Sequence, residues 1–350
     1  MADGDLTYEE AGVSVAAGAE AVRLLKQRLK STRHPLVLEG IGGFGGVMQM
    51  PPLKDPVLVA GTDGVGTKVL IAQALDRYDT IGIDLVAMSV NDVSACGAVP
   101  LFFLDYIVTG KVRPEMVADL VGGVDEGCLQ AQCALLGGET AEHPGHFASD
   151  DDFDMAGFAV GVADRGELWG PGKVVDGDVL IGISSNGLHS NGFSLVRALL
   201  AKHTIPLSDP FPGADDQSIG EVLLTPTLIY SPVLHDLSHT RTVHAAAHNT
   251  GGGFPENVGR AVPDGLAAEI DLSTWIPAPV FSWINGLGVS ADEMLNTFNC
   301  GLGMIVVLPR SDVAAALRVI AKAGIDARAI GEVTARGDGP AVRYRGELCL

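Results

Sequence analysis

Positive charge is scarce in this chain: 23 Lys and Arg stand against 43 Asp and Glu, a formal net charge of −20 over 350 residues. Such a chain is a poor candidate for holding nucleic acid or an anionic membrane by charge. An anionic substrate would have to be met by metal ions or by oriented backbone amides. Cysteine is sparse too. Cys96, Cys128, Cys133, Cys300 and Cys349 form neither a C-x-x-C pair nor a zinc-ligand spacing, and so odd and scattered a set suggests reduced thiols in a reducing compartment. No apolar run approaches the roughly 20 residues of a membrane span. The opening "MADGDLTYEE" lacks an apolar h-region, and no repeat relates the two halves. The expectation is a cytoplasmic protein that binds neither nucleic acid nor membrane.

Glycine, by contrast, is abundant. There are 45 glycines, about 13% of the chain against a usual value of roughly 7%. They cluster at 42–46, 61–66, 137–138 and 251–253, as in tight turns or places where backbone approaches a ligand. The length suggests two domains at about 100–200 residues each. Helical spacing over 15–30, limited by Pro35, is followed by strands at "PVLVAGTD", 100–108, "ALLGGETAE" and "FDMAGFAVGVA", with helices over 79–96 and 114–133. Glycine, proline and charge interrupt the pattern near 168–176, which divides the chain into 1–170 and 171–350. The second half restarts with strand "DVLIGISS" and helix "NGFSLVRALLAK", passes a loop over 206–220, and ends in strand "GMIVVLP" and a helix over 311–323. Both halves read as α/β or α+β layers.

The stretch "VLVAGTDGVGTKVLIA" looks like a Walker loop with its last letters exchanged, because Gly61 and Gly66 keep the spacing while Thr67 precedes Lys68. A strand ending in a Gly-Thr-Asp-Gly turn is the plainer reading. Asp63 argues against amides cradling bare phosphate and fits a hard cation bridging carboxylate and phosphate oxygens. In the apolar helix 79–96, Asp84 and Asn91 are seven residues apart and share a face, with Asp92 about 80° round from it. They form either a solvated stripe or, for Asp84 and Asp92, magnesium ligands alongside Asp63. Glu139 in "LLGGETAE" is a further acid at a strand end. "GIGGFGG" is either a flexible loop or a cover whose amides meet phosphate. "SSNGLHSNGFSLVR" and "HNTGGGFPENV" read as anion sites at helix starts, or else as ordinary caps. Asn299 and Cys300 precede a buried strand and read as packing.

Eight strings, "GIGGFGG", "GTDGVGTK", "IGIDLVAMSVNDV", "LFFLDY", "GGETAE", "HSNGFSLVR", "TGGGFPENV" and "TFNCGLGM", occur in order between residues 40 and 304, within a likeness that runs from about 7 to 335. Together they resemble the phosphoribosylformylglycinamidine cyclo-ligases, also called aminoimidazole ribonucleotide synthetases. The resemblance implies ATP-dependent cyclisation of formylglycinamidine ribonucleotide to aminoimidazole ribonucleotide with magnesium, in purine biosynthesis. It also implies a homodimer whose N-terminal mixed sheets join into a barrel, and a C-terminal sheet flanked by helices that closes the cleft. On that resemblance Asp63, Asp92 and Glu139, with Asp84 less centrally, would hold magnesium. Gly42, Gly43, Gly45, Gly64, Gly66, Thr67 and Lys68 would meet ATP. Ser190, Asn191, Gly251, Gly252 and Gly253 would hold the ribose phosphate, and His189 or His248 would carry protons. Selenide dikinases want a reactive residue in the N-terminal segment, where the first cysteine here is Cys96. Hydrogenase-maturation relatives end on a cysteine, whereas Cys349 is followed by Leu350. Thiamine-phosphate kinases lack the "GTDGVGTK" and "HSNG" strings. A nucleotide-binding scaffold without turnover is the rival of another class.

Overall fold

A computed structural model describes Tyr8, Glu9 and residues 12–350, so most of "MADGDLTYEE" lies outside the described residues. Helix α1 (Val15–Arg28) begins at Ser14, whose hydroxyl accepts from the Ala17 amide as an N-cap. Strands β1 (Val37–Glu39) and β2 (Val47–Met48) pair antiparallel and hold the "GIGGFGG" loop between them. Then follow β3 (Pro56–Gly64), α2 (Val69–Ala74), α3 (Ile81–Ala95), β4 (Val99–Thr109), α4 (Pro114–Ala131), β5 (Ala134–Glu142) and β6 (Phe153–Asp164). These strands form a mixed sheet of order β3-β6-β4-β5, antiparallel except for the parallel β4–β5 pair.

The second half contributes β7 (Val179–Ser184), α5 (Phe193–His203), β8 (Pro210–Phe211), β9 (Ala214–Ser218), α6 (Ile219–Leu223), α7 (Ser231–Ser238), β10 (Ala245–His248), α8 (Gly253–Ala261) and β11 (Leu266–Asp271). It closes with α9 (Pro279–Gly286), α10 (Ala291–Thr297), β12 (Leu302–Leu308), α11 (Val313–Lys322), β13 (Ala327–Ala335) and β14 (Val342–Arg345). Its six-stranded sheet runs β10-β12-β7-β13-β11-β14. The expected loop over 206–220 carries the β8–β9 hairpin, too short for a periodic signal. No helix among the described residues is long and apolar enough to cross a membrane.

Helix α3 decides how the halves meet. Thirteen of its fifteen residues are buried, polar ones included. It packs on β3, β6 and α4, and its polar face receives an irregular segment from the second half. Asp84 accepts from both the amide and the hydroxyl of Thr227, at 2.8 and 2.6 Å. Asn91, two turns on, accepts from the Tyr230 amide at 2.8 Å and donates to the Leu228 carbonyl at 2.9 Å. Buried backbone groups of an irregular segment need partners, and this polar face supplies them. The shared face of Asp84 and Asn91 is therefore a seam between the halves and not a solvated stripe, and Asp84 is not an open metal ligand.

Candidate active site

The turn after β3 meets the loop before α5. Lys68 is completely buried, and its ammonium donates to Asp84 Oδ1 at 3.0 Å, the His189 carbonyl at 3.1 Å and the Thr225 carbonyl at 2.7 Å. All three donors of the ammonium are taken. Thr67 and Ser194 share a hydroxyl hydrogen bond at 3.0 Å, and the Ser190 hydroxyl donates to the Val65 carbonyl at 2.8 Å. The exchanged letters of the Walker-like string thus place Lys68 inward, away from any phosphate, as a tie between the two halves. Burial drives the Asp84 carboxyl up and the Lys68 ammonium down from their ordinary values, and their mutual contact opposes both shifts. Asp84 is Lys68's counterion, with no open coordination side.

Above that tie, His248 at the end of β10 hydrogen-bonds Asp92 through Nδ1 at 2.8 Å, and its Nε2 lies 3.4 Å from the Asn91 amide nitrogen. The imidazole is enclosed, while the Asp92 side chain remains 55% exposed, so the pair has one open side. Asp63, which accepts from the Gly64 amide at 2.8 Å, completes the group. Its carboxyl is raised above the ordinary range by burial first and by the Asp92 charge, against the Gly64 hydrogen bond and His248. His189 differs. Both ring nitrogens are buried without a partner, and burial, with His248 and Lys68 nearby, holds it well below the usual imidazole value. A Cβ at Gly303 would lie 2.4 Å from its Cε1, so the ring is packed beneath β12 and not in the open cleft.

The glycine loops converge on the same place. The Asn191 amide contacts the Met88 sulfur at 3.6 Å, and a Cβ at Gly251 would sit 3.2 Å from Asn191 Oδ1. Gly253 has φ +57°, and a Cβ there would fall 2.0 Å from the Leu295 carbonyl, so only glycine fits. The Asn257 amide ties this turn together through the carbonyls of Thr250, Gly251 and Gly253. Ser190 is spent on Val65 and the Gly253 amide on the Thr250 carbonyl at 3.0 Å, which leaves Asn191 and the amides of Gly251 and Gly252 as candidate ligand donors. Cys300 is packed, its thiol pushed up to about 12 by burial.

Glu139 does not join Asp63 and Asp92 within one chain. Strand register runs Gly64–Ala156–Tyr106–Glu139 across the whole sheet, a separation of about 14 Å at three strand spacings. Among the described residues no group of three or more His, Cys, Asp or Glu is close enough to hold a metal ion. Instead Glu139 lines a cavity of about 260 Å³ with Ile41 and Asp105, under α1. Gly42 has φ +122°, and a Cβ there would lie 3.6 Å from Lys26 Nζ, so the "GIGGFGG" loop is close to a cation. Gly43 and Gly45 lie in the same loop, and Phe44 projects from it fully exposed. Sequence reasoning missed Lys26 and Asp105. Lys26 reads as one more base on an amphipathic helix, whereas the acid inside the apolar strand "LFFLDYIV" is a signal that could have been used.

Fold and cleft define a two-domain α/β protein with acids at one strand end and two glycine turns facing them. Residues 45–163 match the family described as AIR synthase related protein, N-terminal domain, and residues 175–342 match its C-terminal domain. The chain therefore belongs to the AIR synthase-related proteins. Among solved structures it is similar to thiamine-monophosphate kinase from Stenotrophomonas maltophilia, at 19% identity and TM-score 0.70, covering 94% of this chain and 96% of that one. It is also similar to the hydrogenase maturation protein HypE in complex with ATP, at 16% identity and TM-score 0.66, covering 97% and 94%. A third, AaThiL complexed with AMPPCP and TMP, matches at 16% identity and TM-score 0.57, covering 84% of each chain. At such identities the likeness is one of fold.

Proposed function

We propose that this protein is an ATP-dependent cyclo-ligase that converts formylglycinamidine ribonucleotide into 5-aminoimidazole ribonucleotide, ADP and phosphate. The observation that carries the reading is the convergence of "GTDGVGTK", "HSNG" and "TGGGF" on the His248–Asp92–Asp63 group at the junction of the halves, taken here as domains 1–170 and 171–350. An amide oxygen is a poor leaving group. Transfer of the γ-phosphoryl group to the formyl oxygen, with loss of ADP, turns it into phosphate ester. Attack by the amidine nitrogen on the formyl carbon then closes the ring, phosphate leaves, and the nitrogen gives up a proton. Phosphoryl transfer depends mainly on positioning and charge neutralisation.

Magnesium is commonly bound by one or two carboxylates together with nucleotide phosphates and waters, and the Asp63–Asp92 pair suits that donor set. Bound there, it would neutralise charge on the phosphates. Asn191 and the amides of Gly251 and Gly252 would hold the ribose phosphate, with Gly253 shaping the turn that presents them. Gly64 and Gly66, with Thr67 beside them, would leave room for the nucleotide on the Asp63 side, and Gly42, Gly43 and Gly45, with Lys26 as the nearby cation, would do so on the Glu139 side. His248, hydrogen-bonded to the half-exposed Asp92, is favoured as proton carrier over His189, whose ring nitrogens are buried without a partner. His248→Ala is expected to lower kcat roughly 10²–10⁴-fold, the usual range for a positioned acid–base group, with folding unchanged by circular dichroism. Retained turnover would remove His248 from the mechanism.

An exposed apolar sheet face is consistent with a homodimer in the same reading. On the sheet face away from α3, Leu58, Phe158 and Tyr106 are exposed, at 64%, 42% and 42%. Such a face suits a second copy, whose β5 edge could bring the partner's acid to the Asp63 side. Phe158→Arg is expected to convert a dimer into monomers in sedimentation equilibrium. The decisive assay measures ADP release from magnesium-ATP with and without formylglycinamidine ribonucleotide, alongside colorimetric detection of the amine product. Equal substrate-dependent yields support the cyclo-ligase. ATP turnover with another acceptor points to a different AIR synthase-related activity, and binding without turnover to a scaffold.

A further inference from the structure

A cavity of about 660 Å³ lies apart from the cleft just described. It lies at the other end of the first sheet. Its lining includes Ala163, paired with Val57, whereas Asp63 is paired with Gly157. Six residues of strand therefore separate the two places, about 20 Å. None of the cleft residues named above lines it. The volume is within the range of about 300–1,000 Å³ typical of small-molecule sites.

Its chemistry is unlike the cleft's. Three of the chain's nine histidines, His34, His235 and His239, line it. The His235 and His239 rings meet edge to face at 4.6 Å. His34 Nδ1 accepts from the Leu36 amide at 3.3 Å, which leaves Nε2–H as a donor in the neutral ring. His235 Nδ1 is buried with no partner. Burial lowers both His34 and His235 from the usual imidazole value, with His239 adding to the shift at His235 and Asp236 opposing it. Both rings are thus biased toward the neutral form. Arg241, which also lines the cavity, is paired with Glu167 at 3.1 Å, and Asp164 is a further lining acid. Nothing in that set favours a phosphate. Pro51 and Pro100 supply flat apolar wall.

We propose that this cavity is a second ligand site, for an uncharged planar nitrogen heterocycle of nucleobase or nucleoside size, held by the histidine cluster. Because its walls come from both halves, through residues 34–167 and 235–241, an occupant would bridge them. The test is calorimetric titration of the full-length protein with adenosine, inosine and AMP, with and without saturating magnesium-AMPPCP. One nucleoside should bind per chain, at least ~10-fold tighter than AMP, with affinity unchanged by AMPPCP. Binding should be lost in His235→Leu, a variant whose basal ATP turnover should equal that of the wild type. Absence of saturable nucleoside binding, competition by AMPPCP, or undiminished binding in both His235→Leu and His34→Leu would each overturn the proposal.

Discussion

Lys68→Met is expected to cost about 3–5 kcal/mol of folding stability, the usual result of removing one partner from a buried ion pair. The substitution keeps most of the side-chain volume but leaves Asp84 without its cation and the carbonyls of His189 and Thr225 without a donor. Those carbonyls belong to the second half, so the loss weakens the junction as well as the turn. The deficit should widen as pH rises. Burial already raises the Asp84 carboxyl, and the lysine is the first of the influences that lower it. Without the lysine the folded-state value rises further above the unfolded one. Stability is then retained below the unfolded carboxylate range and lost as pH climbs through the folded value. Urea titrations at several pH values would measure this. A further Asp84→Asn change should recover part of the loss, since a neutral amide costs less to bury than a lone carboxylate. An exposed, phosphate-facing lysine would behave differently: stability would be unaffected and only turnover would fall.

That contrast marks how far the sequence could be read. Helix α3 and the strands around it were legible because apolar residues recur at the right period and the glycine clusters punctuate them. The face shared by Asp84 and Asn91 was legible as geometry. Its use was not, because the groups it satisfies lie at Thr227, Leu228 and Tyr230, more than a hundred residues away. Lys68 was misread for a similar reason. Motif spacing placed it beside a phosphate loop, and only the arrival of the His189 and Thr225 carbonyls turns it inward. The acids divide likewise: Asp63 and Asp92 come together through β3 and α3, while Glu139 is carried to the far edge by strand order, which residue spacing does not encode. The pairing of His248 with Asp92 also spans the two halves. No local pattern could have separated it from His189.

Asp105→Asn is expected to stabilise the fold at pH 8 while lowering activity. Asp105 occupies the same sheet row as Asp63, through the register Asp63–Gly157–Asp105–Gly138. A Cβ at Gly138 would fall 2.0 Å from its Oδ1, so β5 gives way to the carboxyl. Its carboxyl is pushed up to about 7, chiefly by burial and also by Glu139, against its own amide. The folded state thus holds a proton that the unfolded chain releases near pH 4. The associated stability is complete at acid pH and disappears as pH rises from about 4 through about 7. Three units at about 1.4 kcal/mol each give a penalty on the order of 4 kcal/mol at pH 8, an upper figure because the chain relaxes around a buried charge. Asparagine removes that penalty, so the variant should gain stability relative to the wild type at pH 8 and little at pH 4, measured by urea denaturation without magnesium or nucleotide. A carboxylate carried at such a cost, lining the cavity shared by Glu139 and Ile41, is expected to serve a ligand site. Turnover of magnesium-ATP should therefore fall in the more stable protein. Equal activity with higher stability would make Asp105 a tolerated defect of the core; lower activity without a pH-dependent gain would show that its charge is compensated in the folded chain.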